Sequence, residues 1–145
     1  MSVVFRFSTL ISMIVFLSGC ASGPLYKDFK TAIPTIKANE ARLFFYRPEK
    51  FIGSGIRPNV VLNGNVVGPS TPGGFFFVDV APGPYEVVLT SEVERKLTFV
   101  IAPKDTKCVR LSVSLGVLVY RVYPELAEKV NCEKEIENLN YINEK

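Results

Sequence analysis

From position 41 onward the chain alternates short apolar runs with turn residues at a spacing of roughly ten, the pattern of a β-sandwich or barrel. Residues 42–47 place Leu43, Phe44, Phe45 and Tyr46 in succession, and Pro48, which has no N–H for a ladder, ends that run. Residues 59–62 and 66–67 flank Asn63-Gly64-Asn65, whose Asn-Gly pair supplies the positive φ angles of a tight hairpin. A run at 75–80 follows the Pro- and Gly-rich loop 69–74, and Ala81-Pro82-Gly83-Pro84 makes a stiff turn into 85–90. Residues 95–101 put Leu97, Phe99 and Ile101 on one face and Lys96 and Thr98 on the other. Residues 108–115 repeat that alternation: Val109, Leu111, Val113 and Leu115 point one way, and Cys108, Arg110, Ser112 and Ser114 the other. The last strand falls at 117–123 and stops at Pro124. From Pro124 a short C-terminal helix is predicted, extending through Leu139, with proline and acids in a first turn that suits both.

The fold class that follows is mainly β: a single Ig-like antiparallel β-sandwich of about seven strands with a short C-terminal helix, occupying 41–145. Ten or more buried apolar side chains, each contributing roughly 1.5 to 3 kcal/mol before entropy is subtracted, make an adequate core without a cofactor. Phe75-Phe76-Phe77 reads as core on one face and a contact surface on the other.

The amino terminus has a different character. Residues 1–19 carry one charge, Arg6, ahead of an apolar run from Phe7 to Leu17. As a helix that run reaches only about 17 Å, short of the roughly 30 Å hydrocarbon core, so it suits a signal peptide better than a membrane span. Leu17-Ser18-Gly19-Cys20 resembles the lipobox of bacterial lipoproteins, in which small residues admit the backbone to a peptidase and the cysteine thiol receives a diacylglyceryl group. The resemblance implies cleavage before Cys20, acylation of the new amine and a lasting anchor, since two or three acyl chains hold a protein on a bilayer where one does so marginally. A plain secretory signal with a chance cysteine is the alternative. Ala21 follows in place of the aspartate that retains lipoproteins in the inner membrane, which implies the outer membrane, facing the periplasm.

Residues 20–40 read in two ways. As a flexible tether, twenty residues reach about 70 Å fully extended and about 25 Å on average. Alternatively, Tyr26, Phe29, Ile33 and Ile36, spaced 3, 4 and 3 apart, dock on the domain as a short amphipathic helix broken at Pro34.

Composition narrows the function. The 145 residues contain no His and no Trp, which removes the usual general base, Ser-His and Cys-His pairs and most catalytic zinc sites. The formal net charge is +3 with scattered bases, so a nucleic-acid footprint is missing. No enzyme, cofactor or metal is expected. Asp79 is read as lying opposite the Phe75/Phe77 face, where capping or exposure is commoner than catalysis. For glycoside cleavage, two carboxylates would have to face each other across a cleft.

Two cysteines remain after Cys20. Because Cys108 occupies the polar register of its strand, a C-terminal helix folding back across that face would bring Cys132 to it, and a disulfide is favoured over two inert thiols. Arg47-Pro48 and Arg57-Pro58 bracket a loop with two readings. In one, Arg47, Phe51 and Arg57 grip an anionic or glycan-rich surface; in the other, the commoner case, an edge loop carries ordinary solvated charges.

The segment 59–113 contains Val-Val-Leu-Asn-Gly-Asn-Val-Val-Gly, an aromatic strand and Ala-Pro-Gly-Pro-Tyr-Glu-Val-Val. It resembles PEGA-type surface domains, with a hairpin followed by a Pro-Gly-x-Tyr-x-Val turn and strand. With Cys20 and Phe45-Tyr46-Arg47-Pro48 it resembles an uncharacterised bacterial lipoprotein family built on one such domain, departing from PEGA repeats in its single copy and C-terminal helix. The resemblance implies architecture and no enzyme chemistry. The function expected is a membrane-anchored binding or structural module with an envelope protein or cell-wall partner. The alternative is a small-ligand or glycan binder using the 48–58 and 69–74 loops.

Overall fold

All seven residues of the first strand, β1 (Ala41–Arg47), are buried. Because alternate side chains of a strand point to opposite faces, its sheet must be covered on both sides. The computed structural model describes residues 23–90 and 95–143, so the apolar leader and Cys20 lie outside the described residues. Ahead of β1 come α1 (Tyr26–Phe29) and a 3-10 turn (Lys30–Ala32). After it come β2 (Asn59–Leu62), β3 (Asn65–Pro69), β4 (Gly74–Val80), β5 (Gly83–Leu89), β6 (Lys96–Ile101), β7 (Thr106–Leu115), β8 (Tyr120–Ala127), α2 (Lys129–Ile136) and β9 (Asn140–Tyr141). The strands form a five-stranded sheet ordered β8-β7-β1-β4-β9 and a four-stranded sheet ordered β3-β2-β5-β6. This is a β-sandwich, and no described helix is long and apolar enough to cross a membrane.

The inner core joins Leu43, Phe45, Phe76, Val109 and Leu111 of the larger sheet to Val60, Leu62, Val87, Leu89 and Ile101 of the smaller. The opposite side of β1 carries Phe44 and Tyr46, and with Phe75 and Cys108 these pack under Cys132, Ile136 and Leu139, joined by Tyr26, Phe29 and Ile33. A third layer, made from both ends of the chain, therefore covers the outer face. Tyr26 N–H donates to Leu139 O at 2.9 Å, and Tyr141 N–H donates to Pro24 O at 2.8 Å. The Tyr26 ring meets Phe44 and Phe75 edge-on, and Phe29 stacks on Tyr141. Of the two readings of 20–40, docking is the one the fold adopts for Tyr26, Phe29 and Ile33, and the folded unit begins well before position 41.

The hairpin lies where Asn-Gly put it: β2 and β3 pair Leu62 with Asn65, with Asn63 and Gly64 both at positive φ. Other expectations need correction. Among the described residues the sheets contain nine strands, and they are not wholly antiparallel: β7 runs parallel to β1 and β9 parallel to β4. After β4 the chain crosses the second sheet as β5 and β6, then returns on the far side of β1 from the end where β1 began. Pro124 does not start a helix. It sits inside β8 opposite Leu111, tolerated because β8 is an edge strand with one side free of ladder bonds. Helix α2 starts at Lys129 and ends at Ile136.

A disulfide joins Cys108 on the outer face of β7 to Cys132 on α2, with Cα atoms 6.2 Å apart and a sequence separation of 24. It clips the third layer to the sheet. In the chain-entropy account a loop of that length stabilises by about 3 kcal/mol. The Cys108→Ser, Cys132→Ser double variant is therefore expected to lose about that much unfolding free energy in denaturant titrations, matching the wild type under reductant. A midpoint equal to that of the oxidised wild type contradicts this role.

Candidate functional site

Both 48–58 and 70–73 cross between the two sheets at the end where β1 stops. Arg47, the last residue of β1, holds them together. Its side chain is 1% exposed. One guanidinium nitrogen, Nη1, donates to Ser70 O at 2.8 Å and to Ile56 O, and Nη2 donates to Gly53 O at 2.7 Å. Its own carbonyl accepts from Gly73 N–H, and Ser70 N–H donates to Pro58 O. The partners shown for the guanidinium are carbonyls and the Ser70 hydroxyl, with no carboxylate among them. Burial and then the neighbouring Arg57 charge push its pKa down to about 10. It stays a cation at neutral pH. The reading in which Arg47 grips an external surface is thus corrected, because its donors are spent on the carbonyls of its own loops.

Ile56 packs on the core, and Glu49, Lys50, Phe51, Ser54 and Arg57 face out. A cleft of about 430 Å³ opens there, lined by Glu49, Lys50, Phe51, Ser54, Arg57, Pro72, Gly73 and Asn140. Phe51 and Arg57 both line this cleft, and Phe51 is 95% exposed. Asn140 Nδ2 donates to Gly23 O at 2.7 Å, which holds Gly23 beside the cleft.

At the same end, β7 continues four residues past the level of Arg47, about 13 Å further at a strand's rise. Gly53 backs onto this strand: a Cβ there would come within 2.7 Å of Val113 Cγ1. The hairpin tip beyond carries Val117 and Leu118, 93% and 91% exposed. Phe51, Val117 and Leu118 are the three most exposed large apolar side chains among the described residues, and all belong to this end. The tip was missed from sequence because Val117 and Val119 read as the start of a strand. Its only signal was Gly116.

The outer face of the larger sheet carries a separate polar network. Tyr46 Oη donates to Glu135 at 2.7 Å, Arg110 pairs with Glu135 at 3.1 Å and with Glu125 at 3.3 Å, and Ser112 donates to Glu125. Burial, and then the hydrogen bond to Glu135, raise the Tyr46 pKa well above the usual phenol range. Two carboxylates thus come close, with Arg110 paired to one oxygen of each. Asp79 also corrects an expectation: it shares the face of Phe77, where Arg42 binds it with two hydrogen bonds of 2.6 and 2.7 Å and lies 4.6 Å over the Phe77 ring.

Residues 37–131 match the model of the family described as protein of unknown function, DUF2846. The chain belongs to that family. No curated protein and no solved structure matches it. The DUF2846 match takes in β1 to β8, both crossing loops and Cys108. The docked segment around Tyr26 lies before it, and Cys132 lies one residue beyond its end.

In this DUF2846 domain, Arg47→Met nearly preserves side-chain volume but removes the donor from three carbonyls. It is expected to cost about 2 to 4 kcal/mol and to speed proteolysis within 48–58. Arg47→Lys should recover only part, since an ammonium lacks the guanidinium fork. Denaturant melts and limited proteolysis that leave Arg47→Met equal to the wild type contradict the cage.

Proposed function

We propose that this protein is a bacterial envelope lipoprotein, acylated at Cys20 and held on the outer membrane facing the periplasm, whose β-sandwich serves as a non-catalytic binding or structural module. The observation that carries the reading is Leu17-Ser18-Gly19-Cys20 directly after an apolar run too short to span a bilayer. A disulfide in the domain suits an oxidising compartment. We read the sandwich as PEGA-like on its Asn-Gly hairpin and Pro-Gly-x-Tyr turn. The partner is an envelope protein or the cell wall.

The cleft between the crossing loops favours a second reading, a small-ligand or glycan binder, because Lys50 and Arg57 line it beside the Phe51 ring. Crosslinking in intact cells separates the two: a reproducible protein partner supports the first, and a co-purifying ligand without one supports the second.

Labelled palmitate is expected to enter the wild-type chain and to be absent from Cys20→Ala. Equal labelling of both, or none in the wild type, contradicts the anchor.

A further inference from the structure

The leash that the tether reading gives residues 20–40 is largely used up by the fold. Tyr26, Phe29 and Ile33 pack on the outer face, and the backbone is paired as far back as Pro24. Cys20 is three residues before Gly23, so at full extension the Cys20 Cα stands no more than about 11 Å along the chain from that of Gly23. Gly23 O is held by Asn140, which lines the cleft with Lys50, Phe51 and Arg57.

We propose that this end of the sandwich lies on the bilayer that carries the anchor, with Phe51 and the tip of the β7–β8 hairpin in the lipid interface and Lys50 at the headgroups. The proposal rests on acylation at Cys20. Three observations carry it: the hold of Asn140 on Gly23 at the cleft, how few residues separate Gly23 from Cys20, and the gathering of the most exposed apolar side chains among the described residues at that same end. Among the described residues that line the cleft, Lys50 and Arg57 are cations and Glu49 a carboxylate, a balance that suits anionic headgroups. A large exposed apolar group beside a lipid anchor gains by entering the acyl boundary, and a second attachment point fixes the orientation that acyl chains alone leave free.

The chain contains no tryptophan, so a single introduced one reports its own surroundings. The lipidated full chain is made as Phe51→Trp, Leu118→Trp and, at the opposite end, Val66→Trp, whose parent side chain is 61% exposed. Each is reconstituted into phosphatidylethanolamine–phosphatidylglycerol vesicles with and without brominated acyl chains. Emission from Phe51→Trp and Leu118→Trp is expected to shift to the blue on vesicles and to lose most of its intensity with bromine, while Val66→Trp does neither. If all three behave alike on vesicles that hold the protein, the placement is overturned although the anchor stands. A blue shift that needs added envelope protein and does not occur on vesicles overturns it in favour of a protein partner. Wild-type chain that lacks acyl mass and does not float with vesicles overturns the lipoprotein reading and, with it, this placement.

Discussion

Burial of β1 on both faces is the constraint on which the rest of the structure depends. A strand reading Ala-Arg-Leu-Phe-Phe-Tyr-Arg with every position buried needs apolar cover above and below, and the second sheet supplies only one side. The other side is closed by material from the two ends of the chain, the segment around Tyr26 and the α2–β9 arm. Neither piece is large enough to fold alone. They hold because each uses the other: Tyr26 and Lys27 donate to carbonyls of the C-terminal arm, and Tyr141 donates back to Pro24. The Cys108–Cys132 bridge fixes the arm to β7. The N-terminal segment is thereby part of the fold, and the distance between the domain and the proposed anchor at Cys20 shrinks to a few residues.

Arg47 sets the shape of the end that faces away from the β2–β3 turn. A buried guanidinium satisfied by carbonyls retains its charge at some cost in desolvation, and its planar fork reaches three carbonyls from two loops at once. The loops are pinned by their backbones, with Ser70 and Thr71 buried while Glu49, Phe51, Ser54 and Arg57 stay outside. Phe51 and Arg57 are displayed because Arg47 is not. The residue with the weakest claim to contact a partner is the one that organises those with a stronger claim.

Some of this was legible in the residues. Asn63-Gly64 specifies its own turn through positive φ, and strict alternation in β7 placed Cys108 on the face where Cys132 meets it. The misses have physical causes. Pro124 is an equally good helix starter and edge-strand residue, and only the sheet order decides between them. The spacing of Tyr26, Phe29 and Ile33 fits a docked turn and a loose tether alike, because the aromatic surface that selects docking comes from distant strands. Strand β9 is two residues long, too short for any periodic signal. Asp79 shares the parity of Phe75 and Phe77, so the alternation rule applied there puts it on their face, beside Arg42.

Amide hydrogen exchange on the full chain tests the third layer most directly. The amides of Tyr26, Lys27 and Tyr141 should exchange as slowly as that of Cys132 in α2, since all four donate to backbone carbonyls within one packed layer. Exchange of Tyr26 and Lys27 at the rate of an unstructured peptide, with Cys132 still protected, would return the N-terminal segment to a free tether and contradict the account.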